Sequence, residues 1–369
     1  TVAKMWMYIV VLFSAYAHGQ RSTTTPSQDR EPKFSLFTIV KYEAFECATT
    51  FGMNGTCYTD KQCRAMDGKP MGSCALGFGV CCLVTRGCGD SSNINNTYFI
   101  GPSSLGTKTG FCQLSLLKPV DDVCQYKVEI ESLELSPPDA NGVCQDDRMT
   151  VTGLGSRVPP ICGSNPDQHF YIETGNINSP TTITISGGID FTGRRWKMKI
   201  IQIPCKVTFG APSGCLQYFT KPSGVMKSFN WNRDGGRHLA NQDYAICIRN
   251  EFGYCSVCLT QCEASPASGS FSLFSAMMDY NSINSNTAGA CSKDFLTIDC
   301  GQEMSDTTTD CLYSRFCGGT LNARMVASAE AATVCTKKKP TLFRFVTDGT
   351  EAADTKSSGF CLKYSQRPC

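Results

Sequence analysis

The segment Ala211–Arg249, APSGCLQYFTKPSGVMKSFNWNRDGGRHLANQDYAICIR, decides how this 369-residue chain folds. Within it Val225, Lys227 and Phe229 alternate with Met226 and Ser228. A turn-rich run follows (Asn232, Asp234, Gly235, Gly236), then a second alternating run, Tyr244, Ile246 and Ile248. Two period-2 runs around a glycine-rich turn are the grammar of an antiparallel sheet. Cys215 opens the segment and Cys247 closes it. A bridge across a loop of that length would stabilise by roughly 3–4 kcal/mol through the unfolded state.

Outward from this segment, composition narrows the class. The chain has 24 cysteines, and Lys+Arg (34) nearly balance Asp+Glu (32), for a net charge of +2. That balance gives no reason to expect nucleic acid as a partner. Met5 to Ala15 is an apolar run too short to span a membrane, and Ala15-Tyr16-Ala17 supplies a small-x-small cleavage pattern. Residues 1–17 are therefore expected to be a signal peptide, and the protein to be secreted and extracellular. In that compartment the cysteines mean disulfides. No later run is long and apolar enough to predict a membrane span. Residues 18–46, rich in Ser, Thr, Pro and Gln, read as a low-complexity linker, with Phe37–Val40 as a strand candidate.

The cysteines fall into three groups: Cys47 to Cys82, Cys88 to Cys205 and Cys215 to Cys369. Each group holds an even number, so each can close on itself. The first is too small and glycine-rich to enclose much core and must be stapled, with its pairing open. In the second, Tyr126, Val128 and Ile130 oppose Lys127, Glu129 and Glu131, and the phase then flips to Leu133 and Leu135. That flip predicts a bulge or a bend. Ile183 and Ile185 alternate with threonines, as strand residues do. In the third group Phe343 and Phe345 share one face, with Phe360, Leu362 and Tyr364 expected on the face of a neighbouring strand.

The wording of these modules resembles a known family. Cys215, Ser223-Gly224-Val225, Ser228 and Asn230, then Cys247 between aliphatic residues, resemble the start of a CUB domain. GCLQYF, SFNWN and HLANQDYAICIR look like the arthropod family of secreted CUB-domain proteins. CSKDFLTI, RFCGG and FRFVTDGTEAADTKSSGFCLKYSQRPC resemble that domain's later strands. CQYKVEIESLEL, Cys144 to Asp147, PPICG and QHFYIETG resemble an earlier copy, in which RRWKMKIIQIPC stands in place of the closing signature. The first cysteine group resembles the clip module found ahead of arthropod serine proteases. The resemblance implies an all-β fold: a small disulfide-rich clip-like knot (47–82) followed by two disulfide-braced antiparallel sandwiches, a CUB-like domain over 88–205 and a CUB domain over 215–369. It also implies the pairs Cys215–Cys247 and Cys144–Cys162. The short segment Lys206–Gly214, stiffened by Pro212, predicts a fairly fixed angle between the sandwiches.

Few constellations carry chemistry. A Ser-His-Asp hydrolase needs a histidine between nucleophile and acid. His169 and His238 stand in no Ala-Ala-His-Cys setting, and no Gly-Asp-Ser-Gly-Gly occurs. Cys255-Ser256-Val257-Cys258, followed by Cys262, has redox spacing but sits in a strand-like run rather than at a helix N-terminus. No enzyme is expected.

The CUB resemblance implies calcium held by one Glu and two Asp, because a hard cation needs several oxygen ligands. Asp294 and Asp348 occupy the two aspartate positions of the last domain, but the Glu expected ahead of Cys291 is missing. In the earlier domain Asp147 matches, Ser136 stands where the Glu is expected, and Glu134 is two places off. The competing reading makes these aspartates turn residues that accept backbone hydrogen bonds.

Arg195, Lys197 and Lys199 alternate with Trp196 and Met198, putting three cations on one strand face. That row is either a seat for sulfated sugar or an acidic protein, or the charge that keeps an edge strand from pairing. Lys337–Lys339 reads as a solvated loop. The sequons at Asn54 and Asn95 predict exposed, glycosylated loop positions. The function expected is non-enzymatic extracellular binding or adhesion, with CUB domains recognising a protein or glycan. The alternatives are a non-catalytic regulator of an arthropod serine-protease cascade and a structural component of cuticle or matrix.

Overall fold

The computed structural model describes residues 44–50, 52–102, 110–118, 122–153, 157–174, 180–188, 192–207, 209–233, 236–263, 269–273, 283–284, 291–304, 311, 314–323, 330–349 and 357–369. The expected leader, nearly all of the linker and the 37–40 strand candidate lie outside the described residues. The chain forms two compact units, Thr1–Leu83 and Val84–Cys369.

In the first unit, Glu46–Ala48 pairs with Asn54–Tyr58, which pairs with the start of Gly79–Arg86, and Lys69–Cys74 lines the other side of that last strand. Its centre is sulfur: Cys47–Cys81, Cys57–Cys74 and Cys63–Cys82 are bridged, and Cys57, Cys63 and Cys81 are fully buried. The short helix Asp60–Ala65 starts on a capping box in which Thr59 and Gln62 satisfy each other's backbone N–H. Gly68 leaves room for the last bridge, since a Cβ there would lie 2.4 Å from Cys82 Sγ.

The second unit holds two pairs of sheets. In the first pair, the larger sheet runs Thr97–Gly101, Arg195–Pro204, Val123–Glu134, Gln168–Glu173, and Val84, Thr85 and Arg86 align parallel with Thr97, Tyr98 and Phe99. The smaller runs Ser91–Ser92, Phe111–Leu116, Thr181–Ser186, Arg148–Thr152. Their inner faces bury Phe99, Val128, Ile130, Phe170, Ile183, Ile185 and Trp196. The phase flip after Ile130 is a bulge: Lys197 registers with Ser132 but Met198 with Ile130.

In the second sandwich the two alternating runs of the opening segment do not pair with each other. Ser223–Lys227 is the edge strand of one sheet, paired antiparallel with Gly359–Pro368, whereas Asp243–Ile248 lies in the opposite sheet. There Asp243–Ile248 pairs in parallel with Cys215–Phe219 and antiparallel with Thr341–Val346. Met226 and Ser228 point inward and Val225 is exposed. Phe345 and Phe360 are likewise on opposite sheets rather than neighbouring strands, and meet across the core at 5.2 Å between ring centroids. Phe229, Tyr244 and Phe345 continue that aromatic file at 5.3 and 5.5 Å. Burying each such ring contributes roughly 1.5–3 kcal/mol.

Every cysteine is bridged, and no bridge leaves the group of its partner. Cys215 joins Cys247, Cys144 joins Cys162, and the redox-spaced Cys255, Cys258 and Cys262 join Cys369, Cys335 and Cys361.

Candidate functional site at the junction of the two sandwiches

Two sheet edges meet inside the second unit. Gln168–Glu173 ends the larger sheet of the first sandwich, and Cys215–Phe219 ends a sheet of the second. Edge strands carry unpaired backbone groups, and here side chains satisfy some of them. His169 Nε2 lies 3.2 Å from the Tyr218 nitrogen, whose N–H donates to it, and the imidazole packs edge-on to Phe219 at 4.8 Å. Burial, then the nearby Lys127, push the His169 pKa down to about 4. Gln125 and Ala211 exchange two bonds, at 2.7 and 2.9 Å. Gln168 accepts from the Gln217 amide and donates to Ser228 O, both at 3.0 Å. Asn230 N–H donates to Asn165 Oδ1 at 2.7 Å, and Asn230 Oδ1 accepts from Ser164 N–H at 3.1 Å. Tyr171, Ile203, Ala211, Tyr218 and the Cys215–Cys247 bridge form an apolar cluster beside these bonds.

A buried polar network holds one geometry, because any other arrangement leaves more of its amides unpaired away from water. Within this one, Gln217 Oε1 alone among the junction glutamines has no hydrogen-bond partner among the described residues. Gly163 shows how closely the sandwiches approach. It takes φ +73°, and a Cβ there would fall 1.9 Å from Asn230 Oδ1. Next to this contact opens a cleft of about 390 Å³. Leu135, Pro137, Pro138 and Ser164 line it from the first sandwich, and Asn230, Asn232 and Arg237 from the second. Proline rings offer flat apolar contact, while the amides and guanidinium offer directed hydrogen bonds, a mixture suited to one side chain or sugar of a larger partner.

The loop aspartates lie apart from the cleft lining. Asp147 is fully buried; its Oδ2 accepts from Ser136 N–H at 2.7 Å and from Arg194 Nε at 2.8 Å, while Arg194 Nη2 donates to Ser136 Oγ at 2.6 Å. Burial pushes the Asp147 carboxyl up, but the Arg194 guanidinium and Ser136 outweigh it and hold it below the usual range. A guanidinium therefore stands against the carboxylate that the resemblance assigned to calcium, and the residues around Asp147 do not fit that ion. In the second sandwich, buried Asp294 accepts through Oδ1 from Asp348 N–H at 2.8 Å, and Asp348 Oδ2 lies 3.2 Å from Lys293 Nζ. Among the described residues, two carboxylates with an ammonium beside them fall short of a calcium ligand set. Among the described residues no group of three or more His, Cys, Asp and Glu could hold a metal ion.

Three further expectations are corrected. Arg195–Pro204 is a central strand, between Thr97–Gly101 and Val123–Glu134, so its cations do not guard an edge. They form no open row either: Lys199 is buried, and Lys197 pairs with Glu131 and lies over the Tyr98 ring. Asn54 is exposed but begins a strand rather than a loop. Asn95 is half-buried, its Oδ1 accepting from Gln202 N–H at 2.8 Å, and Thr97 is fully buried. His238 is buried with its pKa pushed down to about 4 by burial, and its Nδ1 lies 3.4 Å from Leu239 O. The junction amides were missed by the sequence reading; their one signal is glutamine inside otherwise apolar strands (Gln125, Gln168, Gln217).

Residues 212–367 match the model of the animal CUB domain. No curated protein matches the chain. Among solved structures, the CUB1-EGF-CUB2 domains of rat MASP-1 align at a TM-score of 0.25 and 12% identity, covering 76% of this chain and 99% of that one. The CUB1-EGF-CUB2 domain of human MASP-1/3 aligns at 0.24 and 14%, covering 73% and 98%.

Proposed function

We propose that the chain is a non-catalytic extracellular binding protein that recognises a protein or glycan in the cleft between its two sandwiches. The observation that carries this reading is the cleft itself, shared between two sandwiches that a buried amide network holds at one angle. The animal CUB domain over 212–367 supports a protein-binding role. Twelve bridges joining all 24 cysteines support an oxidising compartment, in keeping with the leader read over residues 1–17. No helix among the described residues is long and apolar enough to cross a membrane.

The test uses the secreted chain immobilised over arrays of extracellular proteins and of glycans. Arg237→Glu and Asn232→Trp should each abolish capture of whatever the unaltered chain retains, with the melting temperature unchanged. Capture that survives both changes would place recognition elsewhere.

A further inference from the structure

At one end of the second sandwich, the turn Glu251–Tyr254 holds Phe252 with its whole ring in solvent, at 102% of its reference surface. Scattered exposed apolar residues are common, but this one is held out by its surroundings. Cys255 is bridged to Cys369, whose N–H donates to Gly253 O at 3.0 Å. Gln366 clamps both sides of the turn, accepting from Glu251 N–H at 2.9 Å and donating to Arg249 O at 2.8 Å. The ring is therefore presented on a rigid point, and little freedom remains to be lost on docking.

Cations gather behind it. Lys337, Lys338 and Lys339 are exposed on the adjacent loop, and Lys339 Nζ donates to Tyr254 O at 2.8 Å, tying that loop to the turn. Arg367 is exposed on the strand that registers with Ser256. Glu251 is already paired with Arg249 at 2.6 Å. The space between the two loops, lined by Asn250, Tyr254, Lys338 and Thr341, has no room for a water molecule. The contact offered at this end is therefore the protruding Phe252 ring rather than that gap.

We propose that it docks on an anionic lipid surface, with Phe252 in the boundary between headgroups and acyl chains and Lys337, Lys338, Lys339 and Arg367 against the lipid phosphates. A deformable apolar boundary accepts a single convex aromatic point without a prepared pocket, and one apolar anchor needs a basic patch to hold it there. A sulfated polysaccharide would engage the cations but offer the ring no apolar medium.

The full chain is sedimented with phosphatidylcholine vesicles, with and without phosphatidylserine. Binding should require phosphatidylserine and weaken as salt rises. Phe252→Ser should lose roughly tenfold in affinity, and the triple change Lys337→Gln, Lys338→Gln, Lys339→Gln on the order of 100-fold, both with an unchanged melting temperature. Absence of vesicle binding overturns the proposal, as does binding that Phe252→Ser leaves intact. Retention on heparin lost by the triple variant but not by Phe252→Ser, without vesicle binding, assigns the patch to a sulfated glycan instead.

Discussion

Asp147 in the first sandwich and Asp294 in the second have nearly the same burial, and each accepts one loop N–H, from Ser136 and from Asp348. They differ in where the cation stands. Arg194 reaches Asp147 itself and ties Ser136 at the same time, whereas Lys293 pairs with the half-exposed Asp348. A buried carboxylate costs several kcal/mol to desolvate unless a charge and hydrogen bonds meet it. The first sandwich meets that cost internally with a guanidinium, whose planar fork serves two acceptors at once. In the second, the ammonium pairs with the more solvated aspartate, where salt and water weaken it.

Acid separates what the two sandwiches share from what sets the first apart. His169 and His238, one in each, have folded pKa values pushed down to about 4 from an unfolded value near 6.5. Their neutral forms stabilise fully above pH ~6.5, and that contribution is lost as pH falls towards about 4. The expected loss is on the order of 3 kcal/mol per histidine. The Asp147 tie behaves differently: with its folded pKa depressed, it persists above the unfolded aspartate value near 3.9 and fails only in stronger acid. Urea unfolding from pH 7 to 4 should therefore show the histidine loss with the Arg194–Asp147 tie intact. A flat profile would remove the buried-histidine account.

Arg194→Ala should cost about 3 kcal/mol by leaving Asp147 buried without its cation. Lys293→Ala should cost under ~1 kcal/mol, and equal losses in urea melts would erase the contrast. Gly163→Ala attacks the junction and neither core. It should cost about 1–3 kcal/mol and loosen the inter-sandwich angle, seen in X-ray scattering as a broadened distance distribution. Two freely tumbling sandwiches in the unaltered chain would already contradict the junction network. The smallest effect expected is none: calcium or chelator should leave the melting temperature of both sandwiches where it was.

Period-2 runs such as Tyr126–Ile130 and Tyr244–Ile248 were legible because each residue's neighbours in sequence decide which face it takes. Sheet membership was not, since nothing local tells Ser223–Lys227 that its partner is Gly359–Pro368. The same limit hid the candidate site. Gln125 meets Ala211 and Asn165 meets Asn230 only after both sandwiches exist, and Arg194 reaches back to Asp147 from a run whose next residues read as an outward basic row.

The strand Gly359–Pro368 has a consequence for how the protein is made. It lies in the middle of its sheet, between Ser223–Lys227 and Tyr254–Gln261. As the chain emerges from a ribosome, the first sandwich can seal all its bridges once Cys205 is out. The second waits with Cys255 and Cys262 unpartnered until Cys361 and Cys369 follow, on the order of ten seconds later at ordinary synthesis rates. Oxidative mispairing should therefore concentrate in the later half of the molecule, and it is there that a disulfide isomerase would be needed.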